Sequence, residues 1–303
     1  MNNEQPAWVL SRKSYGDNGL LVEFFGAVSG RCSGVVRGAH RKKRGGSMAS
    51  LLQPFQPLLI SLVGRSELKS VRQVEAASVG YQLRGEALMS GLYLNELLTR
   101  VVPRFDVMPE LFAEYGRAID SLSEATPEQT LRRFELSLLT SLGYQINWLT
   151  DDCGEPIQLA SRYCYESERG FCAVPAGSDR ANEALLYTGE QIASFARWSE
   201  ADGPLSREAQ QRLKSITRIA LSQLMAGRAL HTRSLFRGLK QHQRVPERVP
   251  ERVPERVTER VLERVPELDA TTEERVQPVD SNELLGSGES EAVSEKAMKE
   301  DLR

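Results

Sequence analysis

Gly16-Asp17-Asn18-Gly19-Leu20-Leu21-Val22-Glu23-Phe24-Phe25-Gly26-Ala27-Val28-Ser29-Gly30-Arg31-Cys32-Ser33-Gly34-Val35-Val36 holds two runs of strand-forming residues, each introduced by a turn signal. Asn-Gly and Ser-Gly supply the positive φ that tight turns need, so residues 20–25 and 31–36 read as consecutive strands. Working outward, residues 7–10 form a third such run, and 58–63 and 67–74 a fourth and fifth, with Gly64 and Arg65 between the last two. Five strands in about 70 residues, with no long helix before the end, fit a small closed barrel better than a sandwich, which needs about 100 residues.

Beyond Arg84 the period changes. Leu88, Leu92, Leu94, Leu97, Leu98 and Val101 recur at helical spacing over 86–102, and 108–122 repeats the pattern. Thr126-Pro127-Glu128-Gln129 reads as a helix start, with Thr126 as N-cap and Gln129 completing a capping box. That helix runs to Gly143, with Leu131, Phe134, Leu138 and Leu142 on one face. Residues 150–190 lose the helical period and read as a loop-and-hairpin insertion around 163–164 and 170–172. Ser206 caps a further helix ending at Gly227, and a short basic helix is expected over 234–240. From Arg244 to Glu267 the tetrapeptide Arg-Val-Pro-Glu recurs six times, with Thr258 and Leu262 replacing proline in the fourth and fifth copies. Proline at this density forbids a regular helix, and one valine per repeat buries too little to offset ordering entropy. The expected organisation is α+β: a five-stranded barrel over 1–80, a helical domain over 81–243, and a disordered tail over 244–303.

The net charge of −2 averages unlike parts. Residues 1–80 carry 11 Lys+Arg against 5 Asp+Glu, a balance of +6, whereas 244–303 carry 10 against 16, a balance of −6. A basic first domain points to a polyanionic partner. The stretch from Arg31 to Arg44 concentrates the signal: Arg31, Arg37, Arg41, Lys42, Lys43 and Arg44 stand with no acid among them. Arg31, Ser33 and Val35 are expected to share one strand face, and residues 41–44 to occupy a mobile loop. The competing reading is a solubilising loop, but solvated faces usually mix signs. Arg12, Lys13, Lys69 and Arg72 would enlarge the patch if they face the same way. Barrels with basic grooves are common platforms for single strands, with aromatic rings stacking the bases. Tyr15, beside a turn, is the better stacking candidate; Tyr81 lies beside the strands, and Phe24 and Phe25 read as core.

Cys153, Cys164 and Cys172 fall in the insertion, but a structural zinc site usually shows paired C-x₂₋₄-C ligands. Pro156 and Pro175 stand where second cysteines would be needed, so no metal is expected. None of the phosphate-loop, serine-hydrolase or zinc-protease signatures occurs, and no set of carboxylates is flagged for a metal nuclease. The expectation is a binding protein without covalent chemistry and without a cofactor. Arg132 and Arg133 sit on an apolar helix beside Phe134, Leu136 and Leu139, which suggests a basic-rimmed groove for an acidic-hydrophobic peptide. With no apolar run approaching the ~18 residues of a membrane span and no signal-like start, a cytoplasmic, nucleoid-associated protein is expected.

Six motifs in order, Gly34-Val-Val-Arg-Gly-Ala39, Leu52-Gln-Pro-Phe55, Ser90-Gly-Leu-Tyr-Leu-Asn-Glu-Leu97, Leu131-Arg-Arg-Phe-Glu-Leu136, Leu142-Gly-Tyr144 and Ser234-Leu-Phe-Arg-Gly-Leu239, resemble the bacterial RecO family over about residues 6–240. The resemblance implies an N-terminal OB-fold barrel and a helical C-terminal domain. It implies a recombination mediator in DNA repair that binds single- and double-stranded DNA and anneals complementary strands. It further implies cooperation with RecR and RecF, contact with the C-terminal tail of single-strand DNA-binding protein (SSB), and help in loading RecA. Carried over residue by residue, the barrel's basic residues imply the DNA face. Arg132 would take the SSB tail, with Arg133 beside it and Leu136 as apolar floor. Zinc-containing members carry two C-x-x-C pairs; retention of only Cys153 and Cys172 implies the metal-free branch. The alternatives left by the residues themselves are an RNA-binding OB protein and a metal-dependent nuclease.

Overall fold

The computed structural model describes residues 4–41, 47–124, 127–175, 185–201, 203–225 and 230–232. Lys42, Lys43, Arg44, the cap at Thr126, the stop at Gly227, the helix expected over 234–240 and the tail over 244–303 lie outside the described residues.

Strands β1 (Glu4–Tyr15), β2 (Gly19–Gly26), β3 (Gly30–Val36), β4 (Leu58–Val63) and β5 (Leu68–Ala76) close into a barrel in the order β1-β2-β3-β5-β4. All pairs are antiparallel except β3 with β5. β1 runs well past the apolar stretch that marks it in the sequence. Its polar end, Ser11–Tyr15, is held by ladder bonds to Gly19–Glu23 rather than by hydrophobicity. Period-2 alternation then divides neighbours between two cores. Val22 and Phe24 point into the barrel with Val9, Cys32, Val36 and Ile60. Phe25 points outward, yet is fully buried, because with Trp8 and Leu10 it packs against the helices. The single turn α1 (Met48–Leu51), absent from the sequence reading, is tied to the barrel where the Ala49 amide donates to the Ala39 carbonyl at 2.9 Å.

The helical part comprises α2 (Gly85–Val101), α3 (Pro109–Glu124), α4 (Pro127–Ser141), α5 (Gly189–Glu200) and α6 (Arg207–Leu224). α4 stops where expected: Gly143 takes φ +80°, its amide donates to Thr140 O, and the Tyr144 amide donates to Leu139 O. Ser206 caps α6 by accepting from the Ala209 amide. The insertion forms a three-stranded sheet in the order β7-β6-β8, from β6 (Arg162–Glu166), β7 (Gly170–Val174) and β8 (Leu186–Thr188). The sequence reading missed α5. Its buried apolar residues are few, Ile192, Phe195 and Trp198, and its start is set by a capping box between Thr188 and Gln191.

One segment of α2 joins these parts. Gly91 lies against the Phe55 ring, where a Cβ would come within 2.8 Å of it. Tyr93 donates to Glu135 of α4 at 2.7 Å. Asn95 donates to the Leu10 carbonyl at 3.1 Å, beside an irregularity in the β1–β2 ladder, and accepts from the Tyr115 hydroxyl. Glu96 accepts from the amides of His231 and Thr232. Among the described residues no helix is long and apolar enough to cross a membrane.

Candidate nucleic-acid interface

The basic residues of the barrel separate into those whose charge is spent internally and those that face solvent. Arg31 and Ser33 share the outer face of β3, as alternation requires, and both bond the Glu23 carboxylate across the ladder on β2. Arg31 Nε also donates to the Val102 carbonyl at 2.7 Å. Its side chain is only 13 % exposed, so Arg31 clamps the end of α2 to the barrel rather than presenting its charge to a ligand. That corrects the expectation of Arg31 as an open cation: a guanidinium this buried is satisfied by a carboxylate and a carbonyl.

Arg12 is exposed, though one of its nitrogens donates to the Ala49 carbonyl at 2.8 Å. With Lys13 and His40 it lines a shallow cleft of about 420 Å³ between the end of β1 and α1. Arg37 and Arg41 are exposed on the turn that follows β3. Arg72 is exposed on β5, and Lys69, half-buried, donates to the Gly64 carbonyl and lies over the Phe105 ring. Of the basic residues singled out in the barrel, Arg12 and Lys13 thus stand at the end of β1, Arg37 and Arg41 on the turn after β3, and Lys69 and Arg72 on β5, the neighbour of β3. Of the aromatic candidates, Tyr15 is 48 % exposed, Tyr81 packs on Trp8, and Phe24 and Phe25 are core.

The two arginines of α4 part company. Arg132 is 3 % exposed; it pairs with Glu135 at 2.6 Å and donates to the Thr217 hydroxyl at 3.0 Å. Glu135 and Leu139, three and seven positions on and both buried, share the helix face that carries it inward, and a buried charge must be paired. Arg132 is therefore a core residue and not the wall of a groove. Arg133, one position on, points outward, stacks over Trp198 at 4.6 Å and donates to the Ala201 carbonyl. With Leu136, Trp148, Ile146 and Trp198 it lines a cleft of about 750 Å³, whose rim also carries Glu110, Glu114 and Glu200. No sequence signal announces Trp148 or Trp198 as partners of α4, because Trp148 comes from the irregular chain after its stop and Trp198 from α5.

In the insertion, Cys164 and Cys172 face each other across the hairpin, and with Glu166 they bring three donor atoms within 4.8 Å of one another. Arg169 already bridges Glu166 and Asp152. Burial, reinforced by Asp152 and Glu166, pushes the Cys172 thiol up to about 12, which keeps it protonated at neutral pH. Arg169 thus ties Glu166 of the hairpin to Asp152 in the loop before it.

Comparison with known proteins agrees with this architecture. The family model described as Recombination protein O N terminal matches residues 1–79, and that described as Recombination protein O C terminal matches residues 82–234. A DNA repair protein RecO of Alkalilimnicola ehrlichii is 39 % identical over 244 residues, covering 80 % of this chain and 93 % of its own. Proteins of the same name from Escherichia coli and Shigella boydii are each 38 % identical over 240 residues, covering 78 % of this chain and 95 % of theirs. With both halves matched and the relatives spanned almost end to end, the chain belongs to the RecO family of DNA repair and recombination proteins.

Proposed function

We propose that the protein is a non-enzymatic recombination mediator of the cytoplasm that binds single- and double-stranded DNA and anneals complementary strands. The observation that carries this reading is a closed five-stranded barrel whose solvent-facing cations, Lys13, Arg37, Arg41 and Arg72, have no ladder carboxylate among the described residues to balance them as Glu23 balances Arg31. Such cations neutralise phosphates and release counterions, screening the repulsion between two strands. The cleft beside α4 takes the acidic-hydrophobic tail of SSB. Arg133 receives a tail carboxylate, Leu136 and Trp198 receive an apolar side chain, and Glu110, Glu114 and Glu200 repel the tail from other registers. Recruitment to SSB-coated strands, together with RecR and RecF, then favours RecA loading. Reversing the charges of residues 41–44 is expected to abolish strand annealing while leaving binding of an SSB-tail peptide intact. A normal annealing rate in that variant would refute the DNA assignment.

A further inference from the structure

Two non-glycine residues of the described chain hold a left-handed backbone, Phe55 at φ 66° and Phe105 at φ 59°. Such a conformation is costly for a bulky side chain and is retained where surroundings impose it. For Phe55 the reason is internal: it is buried and its ring lies against Gly91. Phe105 has no such explanation, because 36 % of it remains exposed in the connection between α2 and α3.

The connection is nonetheless fixed. Arg104 bridges to Arg31 on β3, and the Phe105 amide donates to the Arg31 carbonyl at 2.9 Å. Gly30 lies so close to Asp106 that a Cβ there would sit 2.0 Å from its carbonyl oxygen. The segment therefore runs along the same edge of β3 that continues into its pairing with Leu68–Ser70 of β5. Lys69 Nζ stands 5.1 Å from the ring centroid, and Lys69 also bonds Gly64 in the turn between β4 and β5. Arg104, the chain neighbour, is 44 % exposed and 3.8 Å from Glu23. In barrels of this size, the faces of the second and third strands and the turn between the fourth and fifth receive oligonucleotides.

The geometry points to Phe105 as a base-stacking residue for single-stranded DNA, supplied by the helical part to the edge of the barrel and flanked by Lys69 and Arg104 for the adjoining phosphates. This rests on the DNA-binding reading above. A rigid ring costs little side-chain entropy on binding and accepts any base, since every base has a π-face. The Phe105 amide stays bonded to β3 while about a third of the residue remains open to solvent.

The test uses the full chain and two fluorescein-labelled strands of equal length, oligo-dT and an abasic strand, followed by anisotropy across a salt series. Phe105→Asn removes the ring and keeps a residue that tolerates positive φ. It is expected to weaken oligo-dT binding about 5- to 100-fold, with the abasic strand unaffected and the salt slope unchanged. Phe105→Trp is expected to restore oligo-dT binding and to show fluorescence quenching by the bound strand. Wild-type affinity of Phe105→Asn for oligo-dT would overturn the inference, as would an equal loss on both strands, which would mean that the ring only props the loop. A wild-type protein that binds neither strand would instead overturn the DNA-binding reading itself, and this inference with it.

Discussion

Arg132 and Arg133 are adjacent and chemically identical, yet they perform different work. Arg132 neutralises Glu135 inside the helical part, where Tyr93 and Thr217 complete the carboxylate's hydrogen bonds. Removing one partner of a buried pair strands the other, at a cost of about 3–5 kcal/mol. Arg132→Ala is therefore expected to lower the denaturation midpoint strongly. Arg133→Ala leaves the core intact and is expected to weaken binding of an SSB-tail peptide about tenfold or more, the worth of a hydrogen bond to a charged group. Denaturant melts and peptide anisotropy on the two variants check this. The reverse assignment of losses would show that Arg132 faces the ligand.

At the scale of elements, α2 is the connector, and its reach to the C-terminal side is electrostatic. Burial opposes ionisation of Glu96, but hydrogen bonds from the Thr232 and His231 amides and the Thr232 hydroxyl, together with Arg100, outweigh it and hold the carboxyl below its usual range. A carboxyl with a depressed folded-state pKa contributes stability that is present above its unfolded value and is lost as pH falls through the folded one. The contact between Glu96 and residues 231–232 is thus expected to be intact at neutral pH and to release only below about pH 4.3, the unperturbed glutamate value. The Thr232 amide resonance followed by NMR should move over that acid range in the wild type and stay flat in Glu96→Gln. An amide insensitive to acid in the wild type would show that Glu96 does not hold this segment.

For the whole molecule, net charge is a poor guide to binding. Each phosphate neutralised on a single strand contributes about −0.7 to the slope of log K against log salt. Replacing Lys13, Arg37, Arg41 or Arg72 by alanine is expected to reduce the slope by about that amount for each cation in contact. Arg31→Ala is expected to leave the slope unchanged and to destabilise the fold, since its charge is already spent on Glu23 and its Nε on Val102. A slope reduced in Arg31→Ala would mean that the Glu23 pair opens on DNA.

The sequence by itself determined the five strands of the barrel and its closure, four of the helices, with the stop at Gly143 and the cap at Ser206, and the basic character of the first domain. Turn residues, alternation and helical period are properties of consecutive side chains, so they are legible without a partner. The six ordered motifs were legible for the same reason, and α2 shows what one of them does: Gly91, Tyr93, Asn95 and Glu96 each fix a different neighbour. Only the tertiary structure decided which cations are open. Arg31 is neutralised by Glu23 from β2 and bonded by the carbonyl at the end of α2, Arg132, paired within α4 with Glu135, is closed over by Thr217 of α6, and Phe105 gains its place beside Lys69 through a ladder contact between segments some 70 residues apart. Burial and neutralisation belong to neighbours in space, and no local pattern encodes neighbours that distant in the chain.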